Sequence, residues 1–213
     1  MVLRLGPIIE WPAHTSEKRP WIPSGRGPEP DRMFTEVRVS IPPVIANLSY
    51  LPPTGTVVEI ELASRAIMAL DVGSGDRLKS LGQFLIRTES VSSSKIEYIE
   101  ADVDDYAMAI AGIKANESAK SIVAATGAIA RMIGRAGDTG RIELDNILAA
   151  HHILMRDDPA DGRYAGRLRT VQNWIGGSDY SPRGAIHVPP PPETVEGYME
   201  DMIAFANAMA SPR

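Results

Sequence analysis

Four groups of residues in this sequence have types that chemistry uses. They are the adjacent His151 and His152 followed by Asp157 and Asp158, the serines Ser92, Ser93 and Ser94, the glycine-rich stretch GRAGDTGR, and Glu97. The two histidines do not suit a metal: neighbours on a helix point about 100° apart, so one faces the core and the other solvent. The serines have no histidine base nearby in sequence, so a nucleophilic role gains no support. GRAGDTGR lacks the Lys-Ser/Thr of a phosphate loop and follows no strand, so it reads as a loop that ends a helix. Glu97 sits one residue after Ile96, on the apolar stripe of a helix whose interior also holds the three serines. Ser and Asp compete for backbone hydrogen bonds and are mediocre helix-interior residues. Taken alone, Glu97 would be a solvated charge.

The elements around these residues follow from composition and periodicity. The chain has 213 residues, 44% of them hydrophobic and 6% aromatic, with a net charge of −5 and no cysteine. A core of Leu, Ile, Val, Met and Ala is affordable at this length. Thiol catalysis, disulfides and cysteine-ligated metals are excluded, in keeping with the cytoplasm as the expected location. The acidic balance argues against nucleic acid or an anionic membrane as partner, and no apolar run approaches a membrane span. The Asn47 and Asn116 sequons read as chance matches.

Residues 1–34, rich in Pro, Gly and charge, read as an extended arm, either pinned to the body by Trp11 and Trp21 or left loose. EVRVSIPPVI alternates at Val37 and Val39 and predicts a short strand ended by Pro42 and Pro43. A helix follows Pro53 and stops at DVGSG. Helical spacing continues, with a break, from Arg77 to about Gly112. It returns in KSIVAATGAIARMIG, ELDNILAAHHILM and ETVEGYMEDMIAFANAM. Between the last two, RTVQNWIGGSDYSPRGAIHVPPPP holds the Gly pair and prolines of an irregular hairpin. Pro189–Pro192 fixes the exit from it, with Pro192 suited to the first turn of the next helix. The expectation is a mainly α protein with one hairpin near 174–188 as its clearest β feature.

Two stretches, in this order and separation, resemble the Fic family over roughly residues 40–208. ESVSSSKIEYIEA is similar to the family's inhibitory helix, Ser/Thr, three residues, Glu, with Ser93 and Glu97 at the two fixed positions. QNWIGG and VPPPP resemble the segment where a Fic domain builds its flap hairpin and enters its next helix. The resemblance implies a Fic-like helical bundle. Its parts would be an arm and short strand over 1–54, a helical region with the inhibitory helix over 55–135, and the first part of the Fic domain over 136–213.

The resemblance also implies a function. Fic proteins are mainly adenylyltransferases that move AMP from ATP, with Mg in the complete enzyme, to a hydroxyl of a target protein. The flap holds the target segment extended through main-chain hydrogen bonds, a form of β-augmentation. Here that assigns docking to Trp174, Ile175, Gly176 and Gly177 on one arm and Ile186, His187 and Val188 on the other. In the family the inhibitory glutamate pairs with an arginine of the catalytic motif in place of the ATP γ-phosphate, which implies that role for Glu97. Tyr98 stands where the family has Gly or Asn and predicts a looser fit.

The catalytic motif itself, His-Pro-Phe continuing through Gly-Asn-Gly-Arg, has no match: His14, His151, His152 and His187 lie in other contexts. The expected function is therefore the regulatory and target-docking half of such an enzyme, cut before its catalytic helix and inactive alone. It would have no catalytic residue, no metal site and no tightly bound ATP of its own. Its partners would be a target segment at the flap, and either a second copy or another chain covering the missing helix. The alternative is a stand-alone helical module that regulates a partner.

Overall fold

A computed structural model describes residues 11–48, 52–74, 86, 102–113 and 116–210. The described chain is mainly helical. In order it holds β1 (Thr15–Pro20), α1 (Glu29–Arg32), β2 (Glu36–Ile41), α2 (Thr54–Ser74), α3 (Val103–Ile110), α4 (Glu117–Thr139), α5 (Leu144–Met155) and α6 (Val195–Ala210). Two short 3-10 turns, Gly162–Tyr164 and Pro192–Thr194, lie between α5 and α6. The chain divides into two compact units: residues 50–167 form one, and the segments on either side of them form the other.

In the unit made of residues 50–167, α4 is the central helix. Asn116 begins it, its side-chain oxygen accepting the Ala119 N–H at 2.7 Å, while its amide group reaches Asp105 on α3. That sequon asparagine is thus an N-cap, which leaves one orphan donor of the first turn satisfied. The stripe that faces inward carries Ala119, Ile122 and Ala128, and Ala150 of α5 and Tyr106 of α3 are buried with them. Small residues let the helices approach closely: a Cβ on Gly127 would stand 3.7 Å from Ile153 of α5.

GRAGDTGR does not break the helix where its first glycine stands. Gly134 and Gly137 lie inside α4, and only Gly140, at φ 66°, ends it, donating to the Ala136 carbonyl at 2.8 Å. The reason is conformational: a left-handed C-cap needs one glycine, and the earlier two merely weaken the last turns.

The other unit joins 11–48 to 168–210, and its core was only half visible in the sequence. The strand at Val37 and Val39 is there, but its partner is the supposed arm. β1 pairs antiparallel with β2, Thr15 opposite Ile41 and Pro20 opposite Glu36. Charged TSEKRP has no alternating apolar pattern because both its faces are largely exposed. This ribbon, and not the 174–188 segment, is the regular β element among the described residues. Val37, Val39 and Val188 form the buried centre, with Trp21, Phe34, Ile41, Trp174 and Ala185 packed around them. Of the two alternatives for the arm, the pinned one is found: Trp11 meets Phe205 of α6 edge-on at 5.6 Å, and Trp21 meets Trp174 likewise at 5.6 Å. On α6, the Asp201 carboxylate accepts the N–H groups of Ile45 and Ala46, each at 2.8 Å, and fixes the chain leaving β2.

The two core tryptophans differ in one respect that can be measured. Trp174 Nε1–H donates to the Ser178 carbonyl at 2.7 Å, whereas the buried Trp21 Nε1–H has no acceptor among the described residues. An unmet buried donor costs about 1–3 kcal/mol. Trp21→Phe removes that donor and Trp174→Phe breaks a bond, so in urea titrations Trp21→Phe is expected to be the milder by about 1–3 kcal/mol.

Candidate functional site

The segment 174–188 turns back on itself, but as a distorted hairpin. Ile175 N–H donates to the His187 carbonyl at 2.9 Å. The Ile175 carbonyl in turn accepts from Ile186 N–H at 2.8 Å and, more weakly, from His187 N–H at 3.4 Å. This Ile175–His187 pair is the one antiparallel bridge of the hairpin. Beyond it the ladder stops because Gly176 and Gly177 take φ values of 71° and 77°, which L side chains rarely adopt. The tip then closes through Ser178 N–H to the Arg183 carbonyl and Ala185 N–H to the Pro182 carbonyl, both 3.1 Å.

One side of the hairpin is already used. Ser40 N–H of β2 donates to the Val188 carbonyl at 2.8 Å, so the 186–188 arm lies beside β2. The other side is open: the main-chain N–H and C=O groups of Trp174 and Gly176 have no hydrogen-bond partner among the described residues. In an antiparallel pair the groups of the residues flanking Ile175 point away from the partner arm. Ile175 is 61% exposed and Ile186 86%. An open strand edge with exposed apolar side chains is the template that an extended peptide can pair with.

The base of the hairpin is held by the residues that flank it. Gln172 donates to the Pro189 carbonyl at 3.0 Å, and the Arg169 guanidinium donates to the carbonyls of Val171 and Pro190. Partial burial lowers the pKa of Arg169. The Pro189–Pro192 run leads into α6 through the 3-10 turn at Pro192–Thr194, in keeping with its expected role at the exit.

The tip is held from α1, which the sequence did not suggest. Asp31 is 2% exposed and Ser181 0%. The Ser181 hydroxyl donates to Asp31 Oδ1 at 2.5 Å, and Arg183 Nε and Nη2 approach the two carboxylate oxygens at 3.3 and 3.5 Å. Ser181, ahead of Arg183, holds the Asp31 carboxyl below its ordinary pKa in spite of burial. Tyr180 lies over Gly27, where an added Cβ would stand 2.5 Å from the ring. The segments GPEPDR and SDYSPRG are both turn-like, and a pair 150 residues apart leaves no local pattern to find.

No family model and no curated protein matches the chain.

Of the residues singled out by the sequence, Trp174, Ile175, Gly176, Gly177, Ile186, His187 and Val188 come together as the hairpin, with Trp174 and Val188 turned into the core. Ser93 and Glu97 lie outside the described residues. The histidine pair behaves as its spacing requires. His151 is half-buried, with Nδ1 accepting the Gly166 N–H at 3.1 Å, and His152 is exposed. Among the described residues no group of three or more acidic, His or Cys side chains could hold a metal ion, and no helix is long and apolar enough to cross a membrane.

Proposed function

We propose that this chain is the regulatory and target-docking half of a Fic-type protein adenylyltransferase. In this reading the 174–188 hairpin takes an extended segment of the target along its open edge, and Glu97 competes with ATP. The observation that supports it is the edge itself: unpaired main-chain groups at Trp174 and Gly176, beside exposed Ile175 and Ile186, in the segment that resembles the family's flap.

GRAGDTGR does not fit a triphosphate cradle. The glycine-rich stretch that comes nearest in sequence is helical through Thr139, so its N–H groups are spent on the helix instead of converging on an anion. ATP and Mg would belong to a catalytic part carrying the His-Pro-Phe motif. Another chain supplying that part is the partner this reading asks for; a second copy, which lacks the motif too, could only cover the face that the missing helix leaves. Met202 of α6 is exposed and available to it.

The alternative, a stand-alone interaction module, draws on α2. Ile60, Leu62, Ile67, Met68 and Leu70 are all exposed there, although they lie all round the helix. A helix apolar on every side is normally buried.

The two readings part on AMP transfer. Joined to a catalytic segment, the chain should transfer AMP from labelled ATP, and alone it should not. A carboxylate paired to arginine in a partly desolvated cleft contributes about 1.5–3 kcal/mol. Glu97→Gly should therefore raise the rate at limiting ATP roughly 10- to 150-fold, towards the lower end because of Tyr98. Equal rates with and without the substitution would remove the inhibitory role of Glu97, and no AMP transfer by the joined protein would favour the interaction module.

A further inference from the structure

The hairpin's open edge is useful only if its tip is held still, and its own ladder is too short to do so. One bridge at Ile175–His187 and two turn bonds connect its arms, with three glycines at positive φ between residues 176 and 184. A two-stranded ribbon of this kind is marginal in water without further support. That support comes from outside the hairpin, from a carboxylate on a single helical turn.

We propose that Asp31 is the positioning residue of this hairpin: by binding Ser181 and Arg183 together it fixes the tip, and with it the edge at Trp174–Gly176. The geometry is specific to an acidic residue. Oδ1 receives both the Ser181 hydroxyl and Arg183 Nε, and Oδ2 faces Arg183 Nη2. A neutral amide could keep the serine bond but would present an N–H to the guanidinium. Arg183 is itself partly exposed, so its charge reaches solvent while the carboxylate does not. The arrangement ties Asp31 to Ser181 and Arg183 of the tip, with the Ser178 side chain also acting on the carboxylate, and to none of the docking residues. Trp174 Nε1–H on Ser178 O carries the restraint back to the edge. The consequence for a docked target rests on the docking reading above; the restraint on the tip does not.

Amide hydrogen exchange on the full chain tests it, comparing wild type with Asp31→Asn, Arg183→Gln and the double variant. The Ser178 and Ala185 amides should exchange at least about tenfold faster in Asp31→Asn, while those of the β1–β2 ladder change less than about twofold. The Trp174 indole N–H resonance should shift in the same variants. Because the two side chains act as one contact, the double variant should be little worse than Asp31→Asn alone. Unchanged exchange at Ser178 and Ala185 would overturn the proposal. So would equal loss of protection throughout β1–β2, which would make Asp31 a general stabiliser of the unit. No target enters this measurement, so it fails or succeeds apart from the docking reading. Should the tip loosen and a bound target segment stay equally tight, the docking reading is the one that falls.

Discussion

Gly177→Ala should open the hairpin while leaving the helices intact. Gly177 has φ 77°, and a Cβ built on it would stand 2.6 Å from the Arg183 carbonyl oxygen, the Ala185 nitrogen and the Gly184 carbonyl carbon. All three are main-chain atoms of the opposite arm, so no side chain can swing aside. The left-handed conformation costs a non-glycine residue roughly 1–2 kcal/mol, and displacing a packed backbone adds roughly 1–3. The sum, roughly 2–5 kcal/mol, exceeds what a single bridge can offset. Exchange of the Ile175 and Ser178 amides should become fast, and if the hairpin docks a target segment, that binding should be lost with it. Retained protection at both amides would mean that the arms can separate locally without losing register.

Ile122→Ala should be comparably costly in the helical unit. Ile122 is fully buried on α4, on the stripe that also carries Ala119 and Ala128, and a truncated core side chain leaves a cavity that the surroundings fill only in part. Truncating a buried isoleucine to alanine costs about 2–5 kcal/mol, whereas Ile122→Val should cost about 0.5–1.5. Far-ultraviolet circular dichroism during urea unfolding should show the loss. Tryptophan emission provides a control, because Trp11, Trp21 and Trp174 all belong to the other unit. A shift in the dichroism midpoint no larger for alanine than for valine would show that α4 repacks around the gap.

Helices were the most legible part of the sequence, and the reason is that their signal is local. Pro53 before α2, Ser74 at its end, the stripe through Ile122 and the return at Val195 could each be read within a dozen residues. Partner choice was not legible. Val37 and Val39 announced a strand, yet nothing in TSEKRP says that it pairs with them, because an exposed strand need not alternate. The hairpin's existence was readable from its glycines and prolines, but not its shortness: Gly176 and Gly177 at positive φ end the ladder after one bridge. Asp31 was hidden for the same reason as β1. Its meaning lies in Ser181 and Arg183, and only the folded chain brings them near.

The unit formed by the two ends of the chain also has a timetable. Val37 and Val39 leave the ribosome early, but Val188 and Trp174, which cover them, come from the far side of residues 50–167. At about 5–20 residues per second, roughly 120 intervening residues take roughly 6–24 s to make. For that time the nascent β1–β2 ribbon has a bare apolar face and an uncapped strand, a combination prone to pairing with other chains. The charged TSEKRP strand keeps one edge of that ribbon hydrophilic during the wait. The intervening helices, whose contacts are local, can fold meanwhile and shorten the span that the late segment must close. The yield of native protein should then depend on translation speed and chaperone supply more than the stability of the finished fold would suggest.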